Sequence, residues 1–462
     1  MKHLTLLIFL PIFAFAQNFL VIKNVAIIDV KANKVNRDRF VVIKENRIIS
    51  VSKKATIPKE ATIIDAKGKY LIPGLWDMHA HTLTDNRYEY SFPMLIANGI
   101  TGVREMGSNL PPEKINQLRQ DILDGKVLGP RLGALTYKIL DGPGTQTYVA
   151  DTVTTTDEGR QIVRMYKEKG ADFIKPYNLL SHDVYLAIAD EAKRLKIPLE
   201  GHVPFSMTAA EVSDSGQITI EHNFDVLVSC SKNEAELRKE IQLKPALWGQ
   251  AEAKAAATYD EQKAQKLFER FAHNGTWSCP TIIFYRLPIL IADDGAEKDD
   301  SLMKYIPESL RDRWHDIFQR LSSNISIPEY RNIHYEMRSK IVGKMHHAGV
   351  QILAGTDMGA PYSFPGFSLH EELKALVDAG LSPLEALRTA TLNPAKFLEE
   401  EKEFGTVENG KIADLVLLDG NPLENISNTK KIYAVIVNGK LLQRNDLDML
   451  LNQVKQSVMK TQ

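Results

Sequence analysis

Apolar residues along this chain repeat in two different ways. Short runs at 19–23, 25–28, 40–43 and 47–51 are separated by Asn- and Lys-bearing breaks. That texture predicts the strands of a small β domain. It returns at 413–418 and 432–440, where Asn438-Gly439 supplies a hairpin turn signal. The simplest architecture joins the two ends, residues 17–72 and 401–445, into one β-sandwich and leaves 446–462 as a C-terminal tail.

Over residues 73–400 strand-like apolar runs alternate with amphipathic helical stretches such as 183–195 and 369–379. The runs fall at 75–79, 100–106, 131–135, 173–177, 198–202, 219–222, 277–282 and 351–354. Eight such βα units predict an α/β chain folded as a (β/α)8 TIM barrel. Functional side chains should then stand at the C-terminal ends of the strands. The 285–345 stretch exceeds an ordinary βα loop and reads equally as a helical decoration or as a lid over the barrel mouth.

Composition narrows the field. The chain has 462 residues, 44% hydrophobic and 25% charged, which is the make-up of a globular protein. Lys plus Arg is 57 and Asp plus Glu is 58, a formal net charge of −1 that offers nothing to a nucleic acid. A small-molecule substrate is expected, and a homo-oligomer stays open. Cys230 and Cys279 are too few for a disulfide scaffold, and buried free thiols are expected. Lys2 and His3 precede an apolar run at 4–15 that ends in Ala14-Phe15-Ala16. This is the pattern of a secretory signal peptide, residues 1–16, too short to span a bilayer. It implies a secreted or periplasmic protein with no membrane anchor after cleavage.

The candidate chemistry lies at the strand ends. His79-Ala80-His81 closes the first run, and residues two apart on a strand share a side, so both imidazoles can grip one metal. Lys175 ends the fourth run among apolar neighbours; a buried ammonium must be paired, neutral or modified. His202 and His222 close the fifth and sixth runs, and Asp357 follows the eighth. By alternation Glu200 and Glu221 are expected on the other face from these His. Each residue alone is a weak signal. As a set they exceed the three protein ligands of an ordinary catalytic zinc site. They suffice for two divalent metals if Lys175 contributes an anionic bridge.

Gly74-Leu75-Trp76-Asp77-Met78-His79-Ala80-His81, Ala171-Asp172-Phe173-Ile174-Lys175, Gly201-His202, Glu221-His222 and Gly355-Thr356-Asp357 together resemble the amidohydrolase superfamily. The stretches 381–395 and 405–416 resemble that family's last barrel helices and its return to the β domain. The pattern is most similar to the prolidase-like and imidazolonepropionase-like branch. The family's mononuclear deaminases carry His-x-x-Glu after strand five, whereas this chain has His202-Val203-Pro204-Phe205. The resemblance implies a binuclear metal-dependent hydrolase, usually with zinc. It implies that Lys175 is carboxylated and bridges the metals. His79, His81 and Asp357 would hold the more buried ion, and His202 and His222 the other.

It also implies an activated water, with Asp357 as the proton shuttle and Asp77 orienting a ligand from behind. Arg104, Tyr137, Tyr177 and Arg286 are candidates to hold a substrate carboxylate. The expected reaction is cleavage of an amide in a dipeptide or N-acyl amino acid. A lactonase, a phosphotriesterase-like hydrolase and a catalytically inactive metal-binding relative are the alternatives. Export makes one prediction: mature native protein should begin at Gln17, and N-terminal sequencing that finds Met1 would contradict it.

Overall fold

A computed structural model describes residues 19–286, 301–322 and 335–460. The signal segment 1–16 lies outside them, as does part of the 285–345 insertion. The strands are β1 Phe19–Asp29, β2 Lys34–Lys44, β3 Arg47–Ser52, β4 Thr62–Asp65, β5 Tyr70–Pro73, β6 Leu75–Ala80, β7 Ile100–Glu105 and β8 Arg131–Leu135. They continue with β9 Ile139–Asp141, β10 Ala150–Thr152, β11 Leu199–Gly201, β12 Gln217–Glu221, β13 Trp277–Cys279, β14 Leu415–Leu418, β15 Ile432–Val437 and β16 Lys440–Gln443.

The two chain ends meet in one eight-stranded mixed sheet, ordered β16-β15-β14-β5-β1-β2-β3 with β4 also on β1. β14 runs antiparallel between β5 and β15, so the C-terminal strands extend the N-terminal ones. The β3 edge curls back: Ile48 N donates to Lys411 O at 2.9 Å and Ala413 N to Asn46 O at 2.8 Å. Its core mixes Ile22, Ile27 and Val41 with Leu415, Leu417 and Ile436. The backbone bonds trace one continuous sheet through both chain ends. The segment expected as a tail is the helix Arg444–Lys460, which buries Leu447, Leu450, Val454 and Val458.

The centre holds parallel segments in sequence order. β6, β7 and β8 pair in parallel, as do β11, β12 and β13. The fourth and eighth expected strands are only isolated bridges, Ile174 to Leu199 and Ser278 to Ile352. Pro176, which lacks an N–H, cuts the fourth short. Both still carry hydrogen bonds to each neighbour. Asp172 N donates to Leu135 O, Ile174 N to Pro198 O, Leu353 N to Ser278 O and Met78 N to Ala354 O, each at 2.9 Å. The last returns the path to β6. This is an α/β fold with mixed sheets, consistent with a TIM-barrel-type architecture.

Cys230 and Cys279 are both buried and free. In the insertion, helix Glu308–Ser322 seats Trp314 against Tyr362 and Phe364, at ring centroid distances of 5.7 and 5.6 Å. The insertion thus packs on the loop that follows Asp357. Among the described residues no helix is long and apolar enough to cross a membrane.

Trp76 fills the end of the strand ring away from His79. Its indole stacks on Phe404 with centroids 4.4 Å apart. Gly102 on β7 and Gly133 on β8 face that ring, and a Cβ at either would overlap it. Overpacking of this kind costs about 1–3 kcal/mol. Gly102→Ala should therefore lower the unfolding free energy from denaturant titration by that amount, with a lower midpoint; an unchanged midpoint would show that the indole has room.

Candidate metal centre

Two of the ligand-type residues are set by strand geometry. His79 is the fifth residue of β6, and His81 lies just past its end. Their Nε2 atoms approach Asp357 Oδ1 at 3.6 and 3.5 Å. Lys175 Nζ stands 3.4 Å from His79 Nε2. The rings of His79 and His222 are 4.5 Å apart, and those of His202 and His222 4.9 Å. All six expected residues therefore converge, and ligand atoms of His79, His222 and Asp357 lie within 4.8 Å of one another.

The opposite side of each imidazole is already engaged. His79 Nδ1 bonds Glu221 Oε2 at 2.6 Å, His81 Nδ1 bonds Gly107 O at 3.0 Å, and His202 Nδ1 bonds Asn178 Oδ1 at 2.7 Å. His222 Nδ1 and Thr281 Oγ1 are 2.6 Å apart. Against a carboxylate or carbonyl, Nδ1 carries the hydrogen and Nε2 presents a lone pair to the centre. His202 Nε2 is buried without a hydrogen-bond partner.

Burial and the Lys175 charge hold His79 far below the usual imidazole range and His81 down at about 3. Burial also lowers His202 and His222, with neighbouring imidazoles adding to it. The rings are thus neutral, the form that binds metal. Burial brings Lys175 down to about 8. It lifts Asp357 to about 6 against the pull of Lys175 and Arg87. Strained backbone gathers here as well: His222, Thr281 and Asp357 have φ of 57°, 43° and 51°. Left-handed non-glycine residues cost free energy and collect at functional sites.

Asp77 reaches both strand ends of the candidate site through the backbone. Its carboxylate accepts from His79 N at 3.2 Å, from Thr356 N at 3.0 Å and from Thr356 Oγ1 at 2.6 Å. One side chain thereby ties the His79 strand to the residue before Asp357.

Other expectations need correction. Arg104 is not available to a substrate. It is fully buried beneath the site, with Nη1 2.8 Å from Glu200 Oε2 and Nη2 2.8 Å from Glu221 Oε1. Tyr137 points away from the centre and donates to Lys169 O at 2.5 Å. Arg286 closes the turn Ile282–Arg286, and its side chain lies outside the described residues. Tyr177 does belong to the site, with its ring 4.1 Å from that of His202; Phe224 and Phe284 continue an aromatic wall at 4.4 Å from His202 and 5.2 Å from His222. Glu221 was expected on the other face from His222. It points inward along β12, and the left-handed turn at His222 breaks the alternation, so both side chains reach the centre.

Two groups to which no motif pointed sit on the His222 carbonyl. Tyr285 Oη donates to it at 3.0 Å and Arg338 Nη1 at 2.6 Å. Arg338 lies on helix Glu336–His347, is buried against the Tyr285 ring at 3.7 Å, and pairs with the buried Glu252.

Known proteins share this fold. Among solved structures, the chain is similar to "AH, Bottromycin amidohydrolase", with a TM-score of 0.76, 22% identity and coverage of 96% of this chain and 91% of that one. A putative prolidase from Bifidobacterium longum superposes with a TM-score of 0.69 at 23% identity, covering 95% and 100%. Among curated proteins, an imidazolonepropionase from Fusobacterium nucleatum is 23% identical over 437 residues, 88% of this chain and 92% of that protein. A 5-methylthioadenosine/S-adenosylhomocysteine deaminase from Thermoanaerobacter pseudethanolicus is 22% identical, over 92% and 94%. Residues 70–442 match the Amidohydrolase family, and the chain belongs to it.

Proposed function

We propose that this protein is a binuclear metal-dependent amidohydrolase, built on a closed (β/α)8 barrel beside a β-sandwich. The observation that carries this reading is the convergence of four neutral imidazoles whose Nδ1 atoms are all engaged elsewhere. The buried, partnerless Nε2 of His202 fits the same reading, because such an atom is costly unless it binds something. His79, His81 and Asp357 would hold one divalent ion, and His202 and His222 the second. An ammonium repels two cations, so Lys175 would bridge them as a carbamate. Its burial favours the neutral amine that carboxylation requires. Nitrogen and oxygen donors in this number suit zinc.

Bound there, such ions lower the pKa of a water and polarise a carbonyl. Asp357 stands beside His79 and His81 with its carboxyl raised to about 6, within working range for proton transfer. It takes the proton of the attacking water. As the C–N bond breaks, it passes that proton to the leaving nitrogen. Asp77 keeps Asp357 in register through Thr356. Tyr177, Phe224 and Phe284 line the His202–His222 side and suit an apolar portion of the substrate.

The substrate class we infer is a dipeptide or N-acyl amino acid. Among the neighbours are a putative prolidase and a Xaa-Pro dipeptidase, the latter superposing with a TM-score of 0.65 at 22% identity. The test is hydrolysis of a panel of such amides beside lactones and phosphotriesters, with and without a strong chelator. Amide turnover that chelation abolishes is expected. Turnover of lactones or phosphotriesters alone would move the enzyme to another class.

Two variants separate the roles. Lys175→Ala should empty the metal site, seen as a loss from about two ions per chain in elemental analysis. Asp357→Asn should cut kcat by about 100- to 10,000-fold while leaving the melting curve close to wild type. Near-normal turnover in the second variant would place the proton shuttle elsewhere.

A further inference from the structure

Three arginines are buried among the described residues, and two of them have carboxylate partners. Arg104 pairs with Glu200 and Glu221, and Arg338 with Glu252. The third, Arg87, is 9% exposed and makes no ion pair with any described residue. A guanidinium largely shielded from water without a close ion pair costs stability, so its persistence calls for a reason.

Its position supplies one. Arg87 follows the turn Thr84–Asn86 at the C-terminal end of β6, on the same face as His81 and Asp357. The guanidinium packs against Gly359, two residues beyond Asp357. A Cβ on Gly359 would overlap it and would stand 3.4 Å from the Cβ of His81. Glycine at 359 therefore makes room for the cation beside a ligand-type histidine. The turn that delivers Arg87 is itself strained: Asp85 and Asn86 have φ of 55° and 58°. It is pinned from outside, with Asp85 N donating to Asn109 Oδ1 at 2.9 Å and Lys114 Nζ to Asn86 Oδ1 at 2.6 Å. Asp357 and Glu105 feel its charge, but neither makes an ion pair with it. Glu105 Oε2 accepts from Thr82 N and Oγ1 at 2.8 and 2.6 Å, and Asp85 Oδ2 accepts from Tyr148 Oη at 2.5 Å.

We propose that Arg87 is the cation that receives the substrate's free carboxylate and so selects N-acyl amino acids and dipeptides over their neutral amides. This rests on the reading of the site as an amide hydrolase. Guanidinium and carboxylate match in a two-pronged, charge-assisted pair, and the low exposure of Arg87 strengthens it. The missing ion-pair partner is then the ligand's own. Strand-end reasoning could not find Arg87, because it stands beyond the strand on a strained turn.

The experiment uses the metal-loaded enzyme, the best amide substrate of the panel, and the same compound with its carboxylate converted to carboxamide. Wild type should prefer the carboxylate. In Arg87→Met the ratio of kcat/KM between the two should fall by at least about 30-fold, carried mainly by KM, with Arg87→Lys in between. Because an unpaired buried charge is removed, Arg87→Met should melt no lower than wild type. An unchanged ratio, or a loss that is equal for both compounds together with a lower melting point, would overturn the proposal and make Arg87 structural. If wild type cleaves no amide, the amide-hydrolase reading fails by itself. Calorimetric binding of N-acetylalanine and its carboxamide to wild type and Arg87→Met then still decides the role of Arg87. Carboxylate-selective binding that the variant loses supports it, and equal binding refutes it.

Discussion

A guanidinium with no access to water lies beneath the candidate metals, and much of the site is arranged around it. Arg104 needs negative charge, and β11 and β12 supply it as Glu200 and Glu221. Glu221 then has a second task, since its other oxygen holds His79 Nδ1. One carboxylate thus answers a cation below and fixes a ligand above. Burying the ion pair is costly in itself, and it is tolerated because all three guanidinium nitrogens find acceptors. Arg104 also donates to Met78 O at 2.6 Å, so β6 is clamped by the same group that sets its histidine.

The same economy runs through the rest of the centre. Each imidazole is oriented by a neighbour from a different element: a carboxylate on β12, a carbonyl after β7, an amide after the fourth segment and a hydroxyl after β13. Such outer partners fix the ring and its tautomer before any ion arrives. The strained residues His222, Thr281 and Asp357 are held by these bonds and by the backbone bond from Asp357 N to His79 O at 2.9 Å. Preorganisation here is a matter of where hydrogen bonds end.

The ligand set was legible because polar residues closing apolar runs are conspicuous, and because parallel segments bring such ends together. The two-ended β domain was legible for a related reason: its strands alternate and its hairpin carries Asn438-Gly439. What the pattern could not show is depth. Alternation says that Arg104 faces inward. It does not say whether inward means the mouth or the packed layers below it. Tyr137 failed differently, since it lies past β8 and turns to the Lys169 carbonyl on the outer layer. The fourth and eighth segments read as strands by composition. Their pairing is reduced to bridges where Pro176 and the Gly355-Thr356 turn take over.

The His222 carbonyl accepts from Arg338, which rides on the helix where the insertion returns to the α/β core. Divergence in this lineage is constrained by that one bond. A loop that reshapes a pocket is normally free to drift, because its changes touch only the substrate. Here the returning helix also sets the angle at which a ligand-type histidine leaves its strand. Substitutions that shift the helix would be filtered through the geometry of the candidate site before any new specificity can be selected. Recombination that swaps the insertion between relatives would have to carry Arg338, Glu252 and Tyr285 as one block.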